Sequence, residues 1–176
     1  MKIKLTTIIL FAVVLVACNS TKNIATPAAL AKVQAIVDKD TLRIEVYSAQ
    51  PQTSSLIGNT GLLPPGDSGS NINLMGNENY FIKTGDSLSI YLPYFGVRQM
   101  GGRLDSDKVG IEFKGVPKST DYNFDSDKNL HVYDFKINKS TETLDVELII
   151  YPSLNADIRI FSSHRTNINF RGKIIE

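Results

Sequence analysis

The sequence has one cysteine, Cys18, and two histidines, His131 and His164, among 176 residues. A lone cysteine excludes an intramolecular disulfide and a thiolate metal cluster. Long hydrophobic runs are also missing. The apolar stretch from Ile8 to Ala17 holds about ten residues against the roughly 20 that a helix needs to cross a bilayer, so a permanent transmembrane anchor is not expected. Nor is there an excess of charge of one sign: 19 Lys and Arg stand against 18 Asp and Glu. These charges are interspersed, without the basic stripe of a nucleic-acid binder or an acidic or basic tail.

What is present begins at the N-terminus. Lys2 and Lys4 precede the apolar run, which ends in a small residue and then Cys18, the layout of a secretory signal. Leu15, Val16, Ala17 and Cys18 resemble the bacterial lipobox. That resemblance implies diacylglyceryl transfer to the Cys18 sulfur, cleavage after Ala17 and acylation of the new amino group by a fatty acid such as palmitate. One acyl chain binds a membrane only marginally, at about 0.8 kcal/mol per buried CH₂, whereas two or more hold firmly. The competing reading is a secreted protein with a free thiol near its cleavage site. Such an exposed thiol would be a liability in an export compartment.

Three segments follow: 1–17 as signal peptide, 18–25 as a small, polar lipidated tether, and 26–176 as the domain. Removing residues 1–17 of 176 leaves 159, the size of one domain with one core. Lys2 and Lys4 leave with the signal, so the mature chain has 17 basic against 18 acidic residues.

Thr26 before Pro27 reads as an N-cap with proline at the first helical position. Leu30, Val33, Ile36 and Val37 recur at helical spacing to about Lys39. From Thr41 the period becomes two, with Leu42, Ile44 and Val46 alternating against Arg43, Glu45 and Tyr47. Further strands are read at Ile72–Leu74, Tyr80–Lys83, Ser87–Leu92, Val109–Phe113, Leu130–Ile137, Leu144–Tyr151, Asp157–Phe161 and Ile168–Ile174. Turns fall at 84–86, 127–129, 138–140 and 153–155. Short connections between successive strands imply an antiparallel meander. The expected fold is mainly β, a sandwich or partly closed barrel of about eight or nine strands with one short N-terminal helix. The Pro-, Gly- and Ser-rich stretch 50–70 carries Leu62 and Leu63 and reads as a mobile insertion or a binding loop. Residues 96–108, with Gly101 and Gly102, read as an irregular crossing.

Leu92-Pro93-Tyr94-Phe95-Gly96, then Gly110-Ile111-Glu112-Phe113, then Tyr151-Pro152, Ser162-Ser163, Arg165, Ile168, Phe170 and Gly172 together resemble a Bacteroidetes lipoprotein family, that of domain of unknown function 4251. The resemblance runs from about Thr41 to the C-terminus. Departures are the 50–70 insertion and Ser153-Leu154-Asn155, where an Asn-Gly type turn is expected. The family implies the lipoprotein class and no activity, cofactor or catalytic residue. In Bacteroidetes an acidic run after the cysteine accompanies export to the cell exterior. None follows Cys18 here, so an outer-membrane position facing the periplasm is expected.

The remaining candidates for chemistry are few. His131 alternates with Tyr133, Phe135 and Ile137 and reads as a packed or edge histidine. His164 lies in a turn with Ser162, Ser163, Arg165 and Thr166, but no nucleophile elbow such as G-x-S-x-G accompanies it. Asp125, Asp127 and Asn129 match the first ligand positions of a calcium loop, yet Leu130 replaces the turn glycine and Lys136 the bidentate glutamate, so a polar hairpin turn is the expectation. Tyr91, Tyr94 and Phe95 are candidates for a rim that stacks on a sugar, lines a lipid pocket or plugs the sheet, with Leu62 and Leu63 overlying it.

The sequence therefore points to a non-catalytic, lipid-anchored envelope module, without cofactor or metal, that binds an envelope protein or cell-wall component. The alternative is a lipid or small-molecule carrier or sensor with an apolar cavity in an open barrel.

Overall fold

The computed structural model describes residues 25–52, 67–99, 110–139 and 142–175. Helix α1 spans Pro27–Val37; the Thr26 hydroxyl accepts the Ala29 N–H at 3.3 Å, and Pro27 fills the first turn. This cap satisfies one of the donors that a helix start leaves open. The helix stops two residues before Lys39, where the Asp38 N–H bonds the Gln34 carbonyl at 2.9 Å. Val33 and Ile36 are its buried residues.

Among the described residues ten strands follow: β1 (Thr41–Pro51), β2 (Ile72–Asn73), β3 (Tyr80–Thr84), β4 (Ser87–Leu92), β5 (Ile111–Gly115), β6 (Ser119–Asp125), β7 (Leu130–Lys139), β8 (Glu142–Ile150), β9 (Asn155–Ser162) and β10 (Ile168–Ile175). They form one antiparallel sheet in the order β5-β4-β3-β1-β10-β9-β8-β7-β6, with β2 paired to β1 beside this path. The mainly β expectation holds, and most strands fall where alternation put them. Strand β5 begins two residues later than expected, and Asn155 is a strand residue rather than part of the turn. Strand β6 lies outside the strands expected from alternation. All its residues are exposed or half-buried, and polar Asp121 and Asn123 interleave with Thr120, Tyr122 and Phe124, so no apolar stripe announces it.

The ends of this sheet are consecutive in sequence: β5 and β6 are the two edges, joined by Val116, Pro117 and Lys118 alone. Laid flat, nine strands would separate those edges by roughly 38 Å. The chain from Gly115 to Ser119 spans at most about 15 Å. The sheet must curl until its edges approach, giving the partly closed barrel. Residues 111–115 pair with β4, whereas 119–125 pair with β7. Across the seam, Lys139 Nζ at the end of β7 donates to the Glu112 carbonyl of β5 at 2.9 Å.

Curling places every second residue in one interior. Leu42, Ile44, Phe81, Ile90, Phe135, Val146, Ile158 and Phe170 belong to a single buried cluster with Val33 and Ile36 of α1. The rings of Phe81 on β3 and Phe135 on β7 meet with centroids 5.9 Å apart. The interior is thus filled by side chains, as small barrels are.

Strand β1 carries a register shift between Val46 and Ser48, opposite Gly172 and Arg171 of β10. A Cβ at Gly172 would lie 2.6 Å from Ile44 Cγ2 and 2.7 Å from the Glu45 carbonyl oxygen. Backbone approach, not a turn, dictates this glycine. Gly172→Ala is expected to lower stability by about 1–3 kcal/mol through overpacking in a urea unfolding experiment, while Lys173→Ala, on the exposed face, should change it by less than about 0.5 kcal/mol.

Candidate functional site

The rim that the sequence suggested divides in two. Alternation along β4 turns Leu88, Ile90 and Leu92 inward and Tyr91 outward. Pro93, lacking an N–H, ends the strand, and Tyr94 and Phe95 then fold back against the core. Tyr94 and Phe95 therefore pack on the core, apart from Tyr91. Leu62 and Leu63 lie outside the described residues.

Residues 93–99 form a strap along the β9–β10 connection. The Tyr94 hydroxyl lies 2.9 Å from Thr166 Oγ1, 3.0 Å from the Thr166 carbonyl and 3.2 Å from the Val97 carbonyl. Thr166 N–H donates to the Val97 carbonyl at 3.0 Å, and Gln99 N–H to the His164 carbonyl at 2.8 Å. Arg98 and Arg165 pair as a β-bridge. A Cβ at Gly96 would sit 2.5 Å from the Tyr94 hydroxyl and 2.6 Å from Thr166 Oγ1, so any larger residue there would displace those side chains and their hydrogen bonds.

Beneath the strap lies a buried ion pair. Arg165 is 5% and Glu142 8% exposed. Arg165 Nε stands 2.9 Å from Glu142 Oε1, and Nη2 donates to Oε2 at 3.2 Å. Nη1 donates to the Gly110 carbonyl at 3.1 Å, and the guanidinium lies 5.2 Å from the Tyr94 ring centroid. Ser162 Oγ donates to Glu142 Oε1 at 2.6 Å and accepts the N–H groups of His164 and Arg165. Burial alone pushes the Glu142 carboxyl up. The Ser162 hydrogen bond, Arg165 and then Arg98 outweigh burial and hold it below its ordinary value. This network gathers Tyr94, Gly110, Ser162 and Arg165, all within the family-like motifs, and its chemistry is structural: charge is matched and Nη1 and Nη2 are hydrogen-bonded, while Nε faces Glu142 Oε1 as an ion-pair contact without hydrogen-bond alignment.

The histidines are committed in the same way. His131 is buried, with Nδ1 2.9 Å from the Tyr122 hydroxyl and its ring against Phe124. Burial pushes its pKa below the usual histidine value, with Asp38 opposing. His164 Nδ1 lies 2.6 Å from the adjacent Ser163 hydroxyl, whose oxygen also accepts the Thr143 N–H. The Glu142 carboxylate nearby is engaged by Arg165 and Ser162. Asp125 Oδ1 accepts the N–H groups of Asp127 and Lys128, closing the turn at Asn129 with its φ of 55°. The calcium-like spacing thus folds as a polar hairpin turn. Among the described residues no group of three His, Cys, Asp or Glu is placed to hold a metal ion.

The outer face is different. Tyr91 is 41% exposed and lies directly across from Tyr80 of β3, their rings inclined at 27° with centroids 5.9 Å apart. Tyr80 in turn borders an open groove of about 500 Å³, with Arg43, Glu45 and Ile82 as floor and the 77–79 loop as wall. Gly76, with φ of 87°, turns that loop. Asn79 fixes it, Nδ2 donating to the carbonyls of Leu74 at 3.1 Å and Asn77 at 3.0 Å. Its Oδ1 is buried and, among the described residues, has no partner. Nothing in the sequence distinguished Asn79, and Tyr91 was grouped with Tyr94 and Phe95 although the parity of its strand turns it outward.

Comparison with known proteins places this arrangement. The family model described as Domain of unknown function (DUF4251) matches residues 26–174. The chain is similar to the crystal structure of a DUF4251 family protein from Bacteroides eggerthii DSM 20697, with a TM-score of 0.56 and 11% sequence identity over 84% of this chain and 87% of that one. That likeness shows the fold. Among curated proteins none matches.

Removing one partner of the buried pair leaves the other charge uncompensated. Glu142→Gln is expected to cost about 3–5 kcal/mol at neutral pH. The folded-state carboxyl titrates below its unfolded value, so the wild-type contribution exists above the unfolded pKa and is lost as pH falls through the folded one. Urea midpoints of the two proteins should converge as pH falls below about 4; a gap constant down to pH 2 would contradict the assignment.

Proposed function

The chain belongs to the DUF4251 family, and from that premise we propose that it is a lipid-anchored, non-catalytic module of the cell envelope that binds an envelope protein or cell-wall component. The leader supports the anchor: Lys2 and Lys4, the Ile8–Ala17 run and the Leu15-Val16-Ala17-Cys18 motif combine the features of a lipoprotein signal. These residues lie outside the described ones, and the reading there rests on sequence. The absence of an acidic run behind Cys18 favours an outer-membrane position facing the periplasm.

The observation that carries the binding reading is the division of labour between the two faces. Inward groups are used up: His131 on Tyr122, Arg165 on Glu142, and Phe81 against Phe135 across the interior. Outward, Tyr91 and the neighbouring groove keep aromatic and polar groups accessible. A catalytic role finds little support, because the groups suited to acid–base work serve the structure. The carrier alternative needs an apolar chamber, and rings from opposite walls occupy the place of one.

Anchoring is tested by replacing the sulfur. In its native host the wild-type protein should fractionate with membranes and incorporate labelled palmitate, whereas Cys18→Ser should lose the label and leave the detergent-extracted envelope fraction. A wild-type protein free of fatty acid would overturn the anchor. In vivo cross-linking from Tyr91 replaced by a photoreactive residue should recover an envelope protein or wall fragment.

A further inference from the structure

Deepening the binding reading above, we propose that the groove lined by Tyr80 and Asn79, with Tyr91 paired to Tyr80 beside it, is a subsite for a neutral pyranose sugar in a glycan strand. Two independent features point there. The first is the exposed Tyr91 paired with half-buried Tyr80, rings inclined at 27° with centroids 5.9 Å apart. Aromatic faces carry partial negative charge, and they suit the C–H-bearing face of a pyranose, whose axial hydrogens are weakly positive.

The second is Asn79. Its side-chain amide is oriented by two donated hydrogen bonds, to Leu74 and Asn77, which leaves Oδ1 as an acceptor with no partner in a residue only 8% exposed. An orphaned buried acceptor costs about 1–3 kcal/mol, and since Oδ1 is closed to solvent, a hydroxyl or amide N–H from a ligand would relieve it on a small shift of the Asn79 side chain or its loop. Because Nδ2 is doubly committed, the group cannot flip to satisfy itself, so the ligand must bring a donor.

The remaining groove residues narrow the ligand's charge. Arg43 and Glu45 on β1 contribute opposite signs, and Glu78 adds one acidic group. A phosphate would meet two carboxylates with one guanidinium. Ring hydroxyls accept and donate, and so match both Arg43 and the carboxylates. A few placed polar groups beside an apolar surface is the usual make-up of a small-ligand subsite.

The test uses full-length mature protein purified in detergent, with tetra-N-acetylchitotetraose and cellotetraose as probes in isothermal titration calorimetry. Saturable binding of either probe is expected. Chitotetraose binding alone would mean that an acetamido N–H meets Asn79; binding of both would mean that a ring hydroxyl does. Tyr91→Ala should weaken it at least about tenfold, as central aromatic contacts do, Tyr91→Phe should restore it, and Phe161→Ala, an exposed aromatic on β9, should leave it unchanged. Asn79→Ala should weaken it similarly in protein whose circular dichroism is native. Absence of binding to both probes, or binding that Tyr91→Ala leaves intact, would overturn the sugar subsite. If the cross-link from position 91 still recovered one envelope protein, the module reading would stand and only the sugar assignment would fall; if neither glycan nor cross-link appeared, both would fall.

Discussion

Three residues between opposite edges of one sheet constrain everything else in this fold. Because Val116, Pro117 and Lys118 alone join β5 to β6, the sheet cannot lie open. Once it curls, the two faces are no longer equivalent: one becomes an interior that water cannot reach, the other a continuous exterior. The period-2 pattern is then enforced by the hydrophobic effect on each strand, since a one-residue slip would turn its apolar set outward. Helix α1 adds Val33 and Ile36 to the same core. Asp38, just beyond the helix, acts electrostatically on Tyr122, His131 and Tyr133 of β6 and β7, which places the helix end beside that part of the barrel.

The Arg165–Glu142 pair joins parts of the molecule that the sheet leaves separate. Arg165 follows β9, Glu142 opens β8, Gly110 precedes β5, and the Tyr94 ring comes from beyond β4. A buried ion pair offers little net stability against a well-packed apolar replacement. Its worth here is positional: a guanidinium with fixed planar donors accepts only one arrangement of carboxylate and carbonyl. The strap and the β9–β10 connection are thereby held in one register, and Gly96 lets them approach.

How far the sequence disclosed this depends on whether local pattern or long-range geometry set each feature. Strands β1, β4, β7 and β10 announce themselves, because each alternates apolar and polar residues against one buried face. Strand β6 does not, since it is an edge whose inward Tyr122 and Phe124 stay about half exposed. Tyr91, Tyr94 and Phe95 look like one cluster when counted along the chain, and the folded strand, ending at Pro93, divides Tyr91 from the other two. Glu142 and Arg165 lie 23 residues apart, each among ordinary polar neighbours, and only the folded sheet brings them together. Asn79 is a loop asparagine until the groove is built. Leu154, with φ of 64°, occupies a left-handed position where an Asn-Gly type turn was expected; its side chain packs on the core, which accounts for an apolar residue at that turn.

The edges themselves have a consequence for life at high local density. Strand β5 runs for five residues and β6 for seven. Between them stands a proline without an N–H, and Asp121 and Asp125 charge the second. Short, interrupted and charged edges make poor templates for another molecule's backbone. Neighbouring copies at high concentration would thus find, among the described residues, no long ladder on which to polymerise.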